Sequence, residues 1–363
     1  MEQETSKDEI QYSCINCEAT LIRDECGYHC DGCGASWPLK HGIPYFLKDN
    51  FFWGNLNRTE MNSLLSTIEN SYWKDVVETD ETVKDRDISE YIFDVNRSSW
   101  RHYCSLNKDS KVLDIGGLWG TLGFSLAKEC ELVVAVDAVI ENCRFMDLRS
   151  QQDNVGNLQP VCANAIDLPF EDESFDLVIL NGVLEWTGVS GQEQDPEKIH
   201  KRILTKISRM LKKGGCLYIG IENRFGLEYF MGVKDPHTGM RFITVLPRIF
   251  ADLVSRKKRG RTYSEITHSY FGLKKLLKEC NYESSEFLLP LPNYRTIAYL
   301  IPFKSNTAFR YAIFNMMDAQ VAQASGRIQL FFKVVKLCLT LRLNFLIKYF
   351  APSFSVIARK GSR

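Results

Sequence analysis

Through the middle of the chain, short unbroken apolar runs alternate with polar stretches patterned as helices. KVLDIGG (111–117), ELVVAVDA (131–138), 158–163, FDLVILN (175–181) and GCLYIGIE (215–222) are rich in β-branched and apolar residues and read as strands. Helices are expected between them over 121–130, 140–151 and 200–211. Strands and helices alternating at this interval predict a parallel sheet of βαβ units, and the continuous apolar runs suit strands covered on both faces. Upstream, the pattern predicts helical stretches over 58–70 and 88–106, with a charged loop over 79–87. Downstream it loosens into an insertion (223–262) rich in Gly, Phe, Arg and His. A helix over 270–280, a strand near Phe287, an apolar helical region over 305–350 and a last strand FSVIAR (354–359) follow.

At 363 residues there is room for one catalytic domain of ordinary size plus a small module. The net charge is zero but unevenly spread: residues 304–363 hold ten Lys/Arg against one acid, Asp318. That basic tail is a candidate for contact with something anionic. The first residues, MEQETSKDEI, lack the basic and apolar segments of a signal peptide. Residues 1–12 therefore read as a disordered leader and the protein as cytoplasmic. Twelve cysteines, four of them in metal-ligand spacing, suit a reducing compartment.

Those four define a module over 13–47: Cys14-x2-Cys17, twelve residues, Cys30-x2-Cys33. Two paired thiolate knuckles can close a tetrahedral shell around Zn2+, and four protein ligands leave no open position, so the zinc is expected to be structural. A module this short has too little core to fold without its metal. Cys26 and His29 lie within the loop and are read as non-ligands, since the paired set is complete. A helical cap (48–108), a core (109–303) and the basic apolar tail (304–363) make up the remaining organisation.

The core carries a second constellation. Asp114-Ile115-Gly116-Gly117-Leu118-Trp119-Gly120 joins the first strand to its helix, and small residues there let the backbone approach a ligand. Asp137 ends the second strand 21 residues after Gly116, where an acid can accept from ribose hydroxyls. Asn164-Ala165-Ile166-Asp167-Leu168-Pro169-Phe170 follows the third strand, and Ser174-Phe175-Asp176 opens the fourth. Over about residues 109–225 this resembles the class I S-adenosylmethionine (SAM)-dependent methyltransferase family. The resemblance implies a Rossmann-like, mostly parallel sheet of seven strands with the last antiparallel, and SAM as cofactor. It implies that Asp114, Gly116, Gly117 and Gly120 form the cofactor turn, with Gly116 and Gly120 near the methionine part. Asp137 would hold the ribose, Asn164 and Ala165 would lie near the adenine, and Asn181 and Gly182 would line the site. Two positions depart from the family's pattern: Leu118 stands where a glycine is usual, and Asn164 where an Asp is usual. The stretch CDGCGASWPLKHGIPYFL is similar to zinc ribbons fused to, or partnered with, methyltransferases of RNA and translation factors, among them a bacterial rRNA guanine methyltransferase.

Ligands of open α/β sheets lie beyond the carboxyl ends of the strands, which places Glu222–Leu227 and the insertion near the acceptor. Asp235–Gly239, Tyr263-Ser264 and Pro292–Arg295 together resemble methyltransferases of bacterial surface-polysaccharide gene clusters, implying a sugar or glycan-linked acceptor. An alcohol acceptor needs a base. His237 and His268 are the candidates, with Glu222 behind them, and each competes with a purely structural reading. Arg224 and Arg295 could bind a phosphate or carboxylate, although a salt bridge is the plainer role for Arg295. The apolar stretch 326–350, interspersed with Lys333, Lys336, Arg342 and Lys348, is too charged for a membrane span. Burial as a helical layer is favoured over contact with an anionic membrane. The two alternatives to a glycan methyltransferase are an RNA methyltransferase, disfavoured by the acidic body of the chain, and a non-catalytic SAM-binding or scaffold protein.

Overall fold

A computed structural model of the protein describes residues 10–49, 51–86, 88–190, 195–317 and 326–361. The chain divides into two compact bodies: Met1–Leu180 with Thr205–Leu217 and Lys360–Arg363, and Asn181–Leu204 with Tyr218–Arg359.

The first body begins with the cysteine module, an antiparallel sheet of β1 (Ile22–Arg23), β2 (Gly27–His29), β3 (Ser36–Lys40) and β4 (Ile43–Pro44). Its core is aromatic: Tyr12 packs edge-on against Tyr28, with ring centroids 4.9 Å apart, and Phe46 lies against Tyr12, Tyr28 and Trp37. Most of the expected leader, residues 1–9, lies outside the described residues. Ile10 and Tyr12, expected in that leader, are buried against the module instead. The cap follows as α1 (Arg58–Ile68), α2 (Trp73–Thr79), α3 (Glu81–Lys84) and α4 (Ile88–Phe93), then a 3-10 segment over Val95–Tyr103. Asn57 and Glu60 form a reciprocal capping box that fixes the start of α1. Met61, Leu64, Leu65 and Ile68 bury its inner face.

The α/β part runs β5 (Lys111–Ile115), α5 (Thr121–Ala127), β6 (Leu132–Asp137), α6 (Ile140–Gln152), β7 (Leu158–Cys162) and β8 (Phe175–Asn181). Its strands lie in the order β8-β5-β6-β7, and the pairings β8–β5, β5–β6 and β6–β7 are all parallel. All six residues of β6 are buried, as the unbroken apolar run requires. The order ends at β7. There the cysteine module attaches: Tyr45 bridges Cys162 in parallel, and the Phe46 N–H donates to the Cys162 carbonyl at 2.8 Å. Tyr12 bridges Phe170, and Glu18 pairs with Lys206 and Arg209.

The chain then passes through α7 (Thr187–Ser190), α8 (Pro196–Met210) and the long β9 (Leu211–Glu222), whose last five residues belong to the second body. That body contains α9 (Leu227–Phe230), α10 (Arg248–Arg259), α11 (Tyr270–Glu279), β10 (Tyr282–Pro292), β11 (Ile297–Pro302), α12 (Asn306–Tyr311), α13 (Gly326–Thr340) and β12 (Ser353–Lys360). Its strands lie in the order β11-β10-β12-β9, with β10 and β11 an antiparallel hairpin. Among the described residues the α/β strands thus number eight, one more than the resemblance implies, and β11 is the one that the sequence pattern did not indicate. The α13 helix buries Val335 and Leu339 but leaves Leu330, Leu337 and Val334 exposed, so it is half a buried layer and half an open apolar face. Among the described residues, no helix is long and apolar enough to cross a membrane.

Candidate active site

In the first body the backbone turns sharply after β5. Gly116 takes φ 75°, a conformation that favours glycine, and is exposed. The Gly116 and Gly117 N–H groups both donate to the Val136 carbonyl, tying the turn to β6. Leu118 also takes a positive φ, 49°. Its side chain packs, partly buried, against the cap cluster that includes Leu64, Leu65, Trp73 and Trp119. Cap contacts hold the rest of the turn: the Trp119 indole N–H donates to Asn55, and Thr121 Oγ1 donates to the Ile92 carbonyl.

Asp137 faces the same turn. Its Oδ2 accepts from the Leu118 N–H at 3.0 Å, while Oδ1 accepts from Val139 N–H and Asn142 Nδ2. These N–H groups, together with the Ala138 backbone, hold the carboxylate against the turn. Burial pushes the Asp137 carboxyl up to about 6, against the pull of these hydrogen bonds. Asp114 lies beneath the turn, buried, with its carboxyl raised by desolvation to about 7. Asn164 and Ala165 follow β7 and are half-buried; Asn164 Oδ1 accepts from the Ile166 N–H, which fixes the bend.

The four cysteines of the module come together as their spacing requires. Cys14 Sγ lies 3.6 Å from Cys33 Sγ, and Cys17 Sγ 3.4 Å from Cys30 Sγ, all four within 4.8 Å of one another. Zn–S bonds of about 2.3 Å place tetrahedral thiolates at comparable separations. The two knuckles are built alike: Glu18 N–H bonds the Cys14 carbonyl and Gly34 N–H the Cys30 carbonyl, each at 2.8 Å. Cys26 is exposed and His29 pairs with Asp24, and neither joins the group.

In the second body, Asn181 ends β8 with its side chain buried and both amide atoms without a partner. It fits only because residue 220 is glycine: a Cβ there would overlap Asn181 Oδ1. Glu222 and His237, both expected near the acceptor, are brought together with Glu185, which the sequence did not single out. His237 Nε2 lies 3.7 Å from Glu185 Oε1 and 3.6 Å from Glu222 Oε2, and its Nδ1 lies 2.9 Å from Asp235 Oδ1. The Tyr294 hydroxyl donates to Glu222 Oε1 at 3.1 Å, and Arg295 Nη2 donates to the same oxygen at 2.9 Å. Arg295 therefore forms a salt bridge, but with a buried partner. Burial and the neighbouring Glu185 raise the Glu222 carboxyl. Burial lowers His237, but Asp235, Glu185 and Glu222 outweigh it and raise the imidazole to about 10.

His268 does not join this group. Its Nε2 lies 2.8 Å from His200 Nδ1, and burial, aided by Arg224, lowers its pKa to about 4. It lines a cavity of about 110 Å3 with Arg224, Thr244, Arg248, Tyr263 and Thr267. The Arg224 guanidinium is turned to the Thr244 and Leu246 carbonyls.

The family profile described as "Methyltransferase domain" matches residues 113–219, the segment that carries the Gly116–Gly120 turn and Asp137. An uncharacterized protein of Methanocaldococcus jannaschii is 31% identical over 106 residues, which is 29% of this chain and 42% of that protein. An uncharacterized protein of Haemophilus influenzae is 32% identical over 117 residues, 31% of this chain and 42% of that protein. The chain thus spans less than half the length of these relatives. Among solved structures, the phosphoethanolamine N-methyltransferase 2 of Haemonchus contortus aligns at a TM-score of 0.42 with 16% identity, covering 74% of this chain and 53% of that one. Residues 113–219 thus match a methyltransferase domain, carried on a Rossmann-like fold.

Proposed function

We propose that the protein uses SAM to methylate a sugar hydroxyl or another group borne on a glycan. The observation that carries the SAM part is the turn after β5: Gly116 is exposed, Leu118 packs against the cap, and the Asp137 carboxylate is bonded to the turn. In this reading Gly116, Gly117 and Gly120 hold the methionine part of SAM and Asp137 takes a ribose hydroxyl. Asp114 supports the turn from below, and Asn164 and Ala165 border the adenine. Bound SAM supplies an electrophilic methyl group; the chain's task is to orient the acceptor and exclude water. Asn181 contributes a buried amide with donor and acceptor both free. Glu222 and His237 are the candidates for handling the acceptor's proton, whereas His268, bonded to His200, serves structure. The cysteine module holds a structural Zn2+ through Cys14, Cys17, Cys30 and Cys33.

The glycan assignment rests on the resemblance of the insertion and of the Pro292–Arg295 segment to surface-polysaccharide methyltransferases. The exposed apolar residues of α13, with Lys333 beside them, support contact with an anionic membrane surface where lipid-linked acceptors are held. Incubating the protein with methyl-labelled SAM and fractionated cell extract tests the assignment. Label is expected in the glycolipid or polysaccharide fraction, and label confined to RNA would replace the glycan with an RNA acceptor.

A further inference from the structure

One buried cluster in the second body gathers several carboxylates around a single imidazole, His237. Glu185, Glu222 and Asp235 are three buried carboxylates, and Arg295 is the guanidinium bonded to them, on Glu222 Oε1. Glu185 Oε2, Glu222 Oε2 and His237 Nε2 are all buried and without a hydrogen-bond partner. Buried polar atoms left unpaired are costly, so the cluster offers these atoms to a further partner.

The orientation of His237 says where. Its Nδ1 faces Asp235 Oδ1 at 2.9 Å, and Asp235 is itself fixed by the Thr238 N–H and hydroxyl. The Trp186 ring packs edge-on against the imidazole, with centroids 4.9 Å apart. With Nδ1 turned to Asp235, Nε2 is directed between the two glutamates. A carboxylate behind the imidazole is the usual support of a metal-bound histidine. A proton on Nε2 would cancel one charge, yet both carboxylate oxygens lie 3.6–3.7 Å away, beyond hydrogen-bond reach. A divalent ion fits better. With bonds of about 2.0–2.2 Å, its tetrahedral ligands sit about 3.4 Å apart, and the three atoms already lie within 4.8 Å of one another.

The geometry points to a second metal site, a divalent cation held by His237 Nε2 and one carboxylate oxygen each of Glu185 and Glu222. One imidazole and two carboxylates suit Zn2+, Mn2+ or Fe2+. Three protein ligands leave positions open for water or a hydroxyl. An ion there would lower the pKa of a bound hydroxyl; only that use of the site rests on the methyltransferase reading.

Titration of the full chain with Mn2+, followed by electron paramagnetic resonance, tests the site without turnover. With zinc retained on the cysteines, one Mn2+ per chain should bind, with nitrogen modulation from an imidazole. Glu185→Gln should weaken binding at least tenfold while leaving the melting temperature of the Mn2+-free protein unchanged or higher, because a like-charge contact is removed. His237→Gln should abolish the nitrogen modulation. No bound Mn2+ in the wild type, or equal binding by a folded Glu185→Gln protein, would overturn the site whatever the outcome of the methyl-transfer assay.

Discussion

The cysteine module and the Glu185–Glu222–His237 cluster each gather groups able to hold a metal, but by opposite means. In the module, four thiolates come from 20 consecutive residues, and two hairpin knuckles deliver them. The ligand set is complete and two of its members, Cys17 and Cys33, face solvent. In the cluster, the residues come from the segment after β8, the end of β9 and the insertion, and the fold alone brings them together. Its ligand set is incomplete and buried. A closed site assembled locally serves stability, and an open site assembled at a distance serves chemistry.

The largest expected effect breaks the closed side of this comparison. Cys30→Ser should release one zinc per chain, measured by elemental analysis, and remove the brace from the aromatic core of Tyr12, Tyr28 and Phe46. Structural zinc in small modules contributes on the order of 10 kcal/mol, so the melting temperature should fall by many degrees. Zinc retained with melting unchanged would remove the structural role.

A smaller effect separates His268 from His237. His268 is buried beside His200 and Arg224, and its pKa is lowered to about 4. Below an unfolded value of about 6.5 the unfolded chain takes up a proton that the folded chain refuses. Stability from this group is therefore present above pH 6.5 and lost as pH falls towards 4, by roughly 3 kcal/mol. Asp114 and Asp137, raised to about 7 and 6, act in the opposite sense, so the difference between wild type and His268→Asn is the measure. The variant should lose part of the acid sensitivity between pH 6.5 and 4; parallel melting curves across that window would refute the assignment.

The smallest effect concerns Leu118. Leu118→Gly relieves a left-handed conformation worth about 1 kcal/mol and gives up contacts of similar value in the cap. Stability should change by no more than about 1 kcal/mol, and calorimetry should find SAM affinity within about threefold of wild type. A large gain in affinity would mean that Leu118 obstructs the cofactor.

What the sequence made legible is what it encodes locally. FDLVILN became β8 over the same seven residues, because an apolar run covered on both faces has one reading. The Gly116–Gly120 turn, Asp137 and the cysteine knuckles were equally plain, since each depends on short spacing. Glu185 was not, because nothing in GVLEW marks its acid as a partner of residues 37 and 52 positions later. His268 stood as a candidate base beside a structural reading, and its neighbour His200 could not be read from the sequence. Leu118 departs from the family's glycine, and since sequence gives a residue's type and not its φ, its left-handed backbone and its packing against the cap were not legible. The β9 strand begins at Leu211, four residues before the expected start, since Lys212–Gly215 resembles a turn but continues the strand.

The attachment of Tyr45 and Phe46 to Cys162 has a consequence for solubility. A sheet bordered by β7 presents a free row of backbone donors and acceptors, which invites pairing with another chain. By laying its own strand end on that border, the cysteine module works as a hem, occupying part of the row that another chain would otherwise find.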